Sequence, residues 1–203
     1  MTTRSRVRAP IPALPELSEA QIAALPAEHR TAYLTLHGMD AAERTRFLDH
    51  AALASLAFDV LTSVCVDGDL RTVWPLFDPD FRTALAGQWV RDNARDLRAD
   101  GWDGDAVAAA LADAEPDHPL WVHFERVHVR GFRTVLPDPR TWGIGEATRM
   151  VAPGLELLYL HSSAVDADVW QPGEQRWVYP IVMHLIDGEW RVRNLGSDQD
   201  PGS

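Results

Sequence analysis

Apolar positions in the first two thirds of this chain recur every three or four residues, and in the last third they alternate or run together. The first pattern is that of amphipathic helices and the second that of strands. Over 40–66 the spacing predicts a long helix whose apolar face carries Phe47, Leu53, Leu56, Val60, Leu61 and Val64. Asp40 can cap it, with Glu43 three places on, and Gly68 fits its stop. Asp69 can cap a short helix from Leu70, which Trp74-Pro75 bends or ends. Asp78 then serves as N-cap and Pro79 as first residue of a helix to about Leu97, through Phe81, Leu85, Trp89 and Ala94. An Ala-rich helix follows over 104–114. Before all of these, 18–37 reads as two short helices, with Ser18 and Gln21 as a capping box, Pro26 as the interruption and Gly38 as the stop.

The stretch 119–136 has two competing patterns. Val127-His128-Val129 alternates like a strand. Leu120, Trp121, Phe124, Val127, His128, Gly131, Phe132 and Val135 fit helical spacing throughout, and Pro119 is a helix-start signal. The longer pattern decides for a helix. Beyond Pro137 the turn signals Pro153-Gly154, Pro172-Gly173 and Asp187-Gly188 divide the chain into strands over about 144–152, 155–164, 175–186 and 189–195. The expected class is α+β, with N-terminal helices packed on one face of a curved antiparallel sheet of four or more strands. Trp142-Gly143-Ile144-Gly145 lacks the strand before it and the helix after it that a phosphate loop needs, so it reads as a turn.

Asp187-Gly188 suits a two-residue type I′ turn. That register pairs Ile186 with Glu189, Leu185 with Trp190, His184 with Arg191, Met183 with Val192, and Val182 with Arg193. Tyr179, Ile181, Met183, Leu185, Trp190, Val192 and Asn194 then share the inner face, and Val178, Val182, His184, Glu189, Arg191 and Arg193 the outer one. A one-residue slip would invert the assignment.

At 203 residues the chain suits one domain. Residues 1–16 read as a disordered Pro/Arg-rich arm, 17–197 as one α+β domain with a helical N-terminal extension, and 198–203 as a tail. A net charge of −11 disfavours nucleic acid and anionic membranes as partners. All 19 basic residues are Arg, a bias expected of a GC-rich bacterial genome. The single cysteine, Cys65, allows no internal disulfide and lies in an apolar run as a core residue. No secretory signal and no apolar run of spanning length are apparent, so a cytoplasmic location is expected.

The ending Tyr179-Pro-Ile-Val-Met-His-Leu-Ile-Asp-Gly-Glu-Trp-Arg-Val-Arg-Asn194 resembles the last two strands of NTF2-like (SnoaL-like, cystatin-fold) proteins. Asp67-Gly-Asp-Leu-Arg-Thr-Val-Trp-Pro-Leu-Phe-Asp78 resembles the small residue, Asp and helix ending in a Phe-Asp-Pro-like turn found early in that family. The resemblance covers about a quarter of the chain. It implies a bent sheet wrapped around a long helix with a pocket at the mouth of the cone. Family members include polyketide cyclases, epoxide hydrolases, dehydratases, isomerases and non-catalytic subunits, so it implies no particular chemistry. The N-terminal extension and the run of helices where an early hairpin belongs depart from the family pattern. No local motif matches the catalytic residues of its enzymes.

The candidate chemistry rests on polar residues at apolar positions. His128 and Tyr179 are the candidate catalytic pair, the first because imidazole titrates near neutrality. Asn194, Trp89, Trp121, Trp190 and Tyr159 are candidate ligand-binding residues, three of them among the chain's eight tryptophans. Each has a plainer reading as a satisfied core or rim residue. His161 reads as a strand-end surface residue. Glu125-x-x-His128 has the spacing of one half of a carboxylate-bridged metal site, but its companions are missing, and neither metal nor cofactor is expected. The expected function is a small-molecule-binding protein of bacterial secondary metabolism. Its ligand would be hydrophobic or aromatic, and any chemistry would be acid–base work of the cyclase, dehydratase or isomerase type. The alternative is a non-catalytic interaction module that forms a homodimer through the outer sheet face.

Overall fold

A computed structural model describes residues 16–144, 149–162 and 178–196, the side chains of 149–151 and 162 excepted. The arm expected over 1–16, save its last residue, and the tail over 198–203 lie outside the described residues, as does the Pro172-Gly173 turn. The chain divides into two compact units, residues 1–52 and 53–203.

The first unit holds α1 (Glu19–Ala24), α2 (Ala27–Gly38) and the start of α3 (Ala41–Leu61). The capping box forms: Ser18 N–H donates to Gln21 Oε1 at 2.9 Å, and Ser18 Oγ accepts from the Gln21 amide. Arg30 closes the α1–α2 turn by donating to the carbonyls of Ala23 and Leu25, and Arg44 donates to those of Leu36 and Met39. No described residue of this unit is buried. Caps and arginine–carbonyl bonds, not a core, hold it.

The second unit has an α+β fold. From Ala41 to Asp67, α3 and the π-helical turns that extend it over Thr62–Asp67 make 27 helical residues. By length and composition that helix could cross a membrane, which corrects the expectation that no run was long enough. Its buried residues, Leu53, Ala57, Val60, Leu61 and Val64, recur at core-helix spacing. Phe47, assigned to that face, instead stays 37% exposed. Gly68 ends the stretch at φ +77°, and Arg133 donates to the carbonyls of Cys65 and Val66 that the termination leaves open.

There follow α4 (Leu70–Val73), α5 (Pro79–Asp92), α6 (Ala94–Ala99), α7 (Gly104–Ala112) and α8 (Trp121–Val135). The helix expected to reach Leu97 unbroken is interrupted at Asn93, whose side chain bonds back to the Trp89 carbonyl. The helical reading of 119–136 holds, but its face is rotated. Val127 and Val135 are more than half exposed, while Val129 is buried.

The sheet is curled and antiparallel, with strands β1 (Trp142–Ile144), β2 (Arg149–Ala152), β3 (Leu155–Ser162), β4 (Tyr179–Ile186) and β5 (Glu189–Leu195). Its order is β1-β3-β4-β5, and β2 also pairs with β3. Trp142-Gly143-Ile144, expected as a turn, is therefore strand, with Gly143 opposite His161. Leu158, Leu160, Ile181, Met183 and Val192 form the inner face and are fully buried. Against the sheet packs a helical layer of aromatic rings. Trp74 lies 5.4 Å from both Trp121 and Phe124 and donates its indole N–H to the Leu111 carbonyl.

The type I′ turn forms, with φ of +52° at Asp187 and +81° at Gly188. The expected pairing holds from Ile186–Glu189 to Met183–Val192 and then fails. Val182 pairs with Asn194, not Arg193, because Arg193 is the extra residue of a β-bulge. The bulge shifts every later residue by one face. Leu195, opposite Ile181, takes the inner position assigned to Asn194, and Asn194 joins Val182 on the outer face. Leu185, also assigned inward, is 40% exposed.

Phe124→Ala removes the ring at the centre of this packing and is expected to cost about 3–5 kcal/mol. Val122→Ala, on the exposed side of the same helix, should stay within about 0.5 kcal/mol of wild type. Urea midpoints of the two variants check the contrast.

Candidate functional site

Asp78 sits where the helical layer meets the free edge of β5. Its amide donates to the Val192 carbonyl at 2.9 Å, and Phe77 makes an isolated parallel bridge to Val192. The sequence places Asp there as the N-cap of α5, and Oδ1 does accept the Asp80 amide at 2.8 Å. The other oxygen does more. Oδ2 accepts from His184 Nδ1 at 2.6 Å and from Arg193 Nη1 at 3.0 Å.

Three donors thus converge on a carboxylate that is 1% exposed. Burial alone would push the Asp78 carboxyl up, but the bonds from His184, the Asp80 amide and Arg193 outweigh it and hold the group below its ordinary value. A carboxylate oxygen can only accept, so His184 Nδ1 carries the proton. In the neutral form of that ring Nε2 keeps a lone pair, for which the described residues provide no partner. Arg193 Nη1 lies 3.3 Å from His184 Nδ1, but both are donors to one oxygen, so that proximity is not a bond between them. His184 is 31% exposed at its side chain and Arg193 11%. This arrangement can hold an imidazole in one tautomer, take a proton at Nε2, and stabilise the resulting cation on Asp78.

The other candidates fall into separate places. His128, Trp89 and Trp121 surround Phe124, with ring centroids 4.3, 6.1 and 5.2 Å away. His128 Nε2 and both indole nitrogens are buried without hydrogen-bond partners among the described residues. Desolvation lowers the His128 pKa to about 4, against a small opposing pull from Asp92. Tyr179 lies on the inner face opposite Leu160, its ring edge-on to Trp142 at 5.4 Å. Trp190 packs against the core beside the hairpin turn. Tyr159, opposite Pro180, and Asn194 are on the outer face, where the Asn194 side-chain oxygen accepts the Leu195 amide. The ring neighbours of His128 are Phe124 and Phe132, and that of Tyr179 is Trp142, so the candidate pair shares no ring contact among the described residues. Glu125 caps α4 by accepting the amides of Leu70 and Arg71. Among the described residues no three potential ligands gather as a metal site.

Comparison with protein-family models, with curated proteins and with solved structures finds no match to this chain.

Sequence reasoning passed over Asp78, His184 and Arg193 as a group. Asp78 was legible only as a helix cap, and His184 and Arg193 only as outer-face polar residues. The available signal was an N-cap Asp followed far downstream by a strand alternating His and Arg, which becomes specific only when the strand edge and the cap are known to meet.

Two pH effects follow. The pKa of Asp78 is depressed in the fold, so its stabilisation is complete above the ordinary carboxylate range of about 4 and is lost as pH falls through the lower folded value. Asp78→Asn should cost about 3 kcal/mol at pH 7, and the gap to wild type should close in acid. For His128, also depressed, stability is complete above about pH 6.5 and declines as the pH falls toward about 4, by up to about 3 kcal/mol. His128→Leu should flatten that arm. Urea titrations at half-unit pH steps measure both.

Proposed function

We propose that this chain is a small-molecule-binding protein of the NTF2-like type, with His184 as its proton-transferring group and Asp78 as the residue that orients it. The observation carrying the reading is the 2.6 Å bond from His184 Nδ1 to a buried carboxylate, with Nε2 left available at a partly exposed position. General acid–base catalysis needs that combination of fixed tautomer, accessible nitrogen and a counter-charge for the protonated ring. Arg193 keeps Asp78 ionised when His184 is neutral. Asp80, also within 3.4 Å of Arg193, spreads the negative charge toward solvent.

The NTF2-like assignment is supported by the Asp-Gly hairpin that closes a curled antiparallel sheet, and by the helices packed on its inner face. The substrate class fitting that assignment is a hydrophobic or aromatic molecule with an enolisable or eliminable proton, as in cyclase, dehydratase or isomerase chemistry. His128 suits the role less well. Its imidazole is held neutral beside Phe124 and Phe132, and protonation there works against desolvation.

A homodimer through the outer sheet face is the second reading, and it has less support. Leu157 and Val182, the apolar pair on that face, are already 4% and 7% exposed within the single chain.

A melt screen against aromatic, terpenoid and polyketide-like compounds supplies ligands, and deuterium exchange into each ligand from heavy water reports proton transfer. Wild type should exchange at least one ligand, and His184→Gln should bind it equally but exchange it at least about a hundredfold more slowly. Exchange within threefold of wild type in that variant would rule His184 out as the base.

A further inference from the structure

A groove of about 680 Å³ opens between α5 and α7. The two helices run antiparallel: Val90 lies against Gly104 at one end of their contact, and Asp113 acts on the charge of Arg82 at the other. Gly87, Ala108, Ala109 and Ala112 leave the space between them unfilled. Small residues alone would make only a gap. Arg82 makes it more than that.

Arg82 lines the groove and is only 9% exposed. Its one hydrogen bond is a long one, from Nη1 to the Trp74 carbonyl at 3.4 Å, and its buried Nε has no partner among the described residues. No carboxylate among those residues comes within ion-pairing distance of it. Desolvation, with the positive charge of Arg191 nearby, holds the guanidinium below its ordinary pKa against the weaker pull of Asp113 and Asp78. A buried guanidinium presents five donors in a planar fork and is costly to leave unpaired. Asp78, the other buried charged residue among those described, has its charge answered by His184 and Arg193.

We propose that the groove is a binding site for a small monocarboxylate with a flat apolar body. The carboxylate pairs with the Arg82 fork, and the body lies along Gly87, Ala108 and Ala109. The volume is that of an ordinary small-molecule site. A carboxylate matches a single guanidinium in bidentate geometry and in charge. A phosphate dianion matches it less well, because Asp105 and Asp113 stand exposed at the groove and repel a second negative charge. The proposed contacts use neither His184 nor Asp78, although the Asp78 charge acts on Arg82 from the start of α5.

Calorimetric titration of the full chain with benzoate tests the site, with methyl benzoate and phenyl phosphate as the neutral and dianionic comparisons. Benzoate should bind at least tenfold more tightly than either. Arg82→Met should weaken benzoate at least tenfold. Ala109→Trp, at an exposed position that fills the groove without touching the guanidinium, should abolish binding in a protein of wild-type melting temperature. Asp113→Asn should tighten binding severalfold by removing rim repulsion. Equal benzoate affinity in wild type and Ala109→Trp would overturn the site even if Arg82→Met failed to fold. Absence of benzoate binding at 10 mM would do the same, and tighter binding of phenyl phosphate would overturn the carboxylate assignment.

Discussion

The carboxylate of Asp78 is the point at which the helical layer and the sheet become one structure. One oxygen caps α5, the other takes donors from two adjacent strands, and the backbone on which it sits extends the sheet by a bridge to Val192. A charge with so little exposure is tolerated because three donors converge on its two oxygens. The constraint works in both directions. Arg193, which donates to Asp78, is also the bulge residue from which the end of β5 takes its register. Asp78 therefore fixes more than its own neighbourhood, although it reads in the sequence as an ordinary helix cap.

His128 and His184 show how environment assigns a role to one residue type. His128 lies among Phe124 and Phe132, with a buried nitrogen that no described group answers. Desolvation keeps it neutral, and its main consequence is for stability in acid. His184 has a carboxylate on one nitrogen and access on the other, the setting in which an imidazole can exchange protons without the fold paying for it. From sequence, His128 attracts attention because it occupies an apolar stripe. That same stripe is what removes it from chemistry.

Local patterns gave most of the elements, because caps and periodicity are local causes. Ser18, Asp40, Asp69 and Asp78 all cap as their positions imply, and the longer helical pattern over 121–135 correctly outweighed the three-residue alternation within it. The misses have non-local causes. Phe47, Val127 and Val135 lie at the borders of helical stripes, where the neighbouring element and not the period decides burial. The bulge at Arg193 depends on what pairs across the ladder, so nothing in the alternation of β5 announces it. Asn194 was lost to the inner face for that reason alone. Trp89, Trp121 and His128 were each legible as inward-facing, but their convergence on Phe124 was not, since it joins two helices separated by the whole of α6 and α7. The Asp78 network lay furthest from reach, with partners 106 and 115 residues apart.

That separation has a consequence for the newborn chain. Synthesis proceeds from the N-terminus, and Asp78 leaves the ribosome long before the strands that satisfy it. At about 5–20 residues per second the wait is on the order of ten seconds. During it the helical layer has no sheet to cover Trp74, Phe77 and Phe124, and the carboxylate that will accept three hydrogen bonds is without two of its donors. Closing the hairpin supplies the missing apolar face and both missing donors together. The Asp187-Gly188 turn, which closes that hairpin, thus governs when the helical layer of the second unit can commit to its native packing.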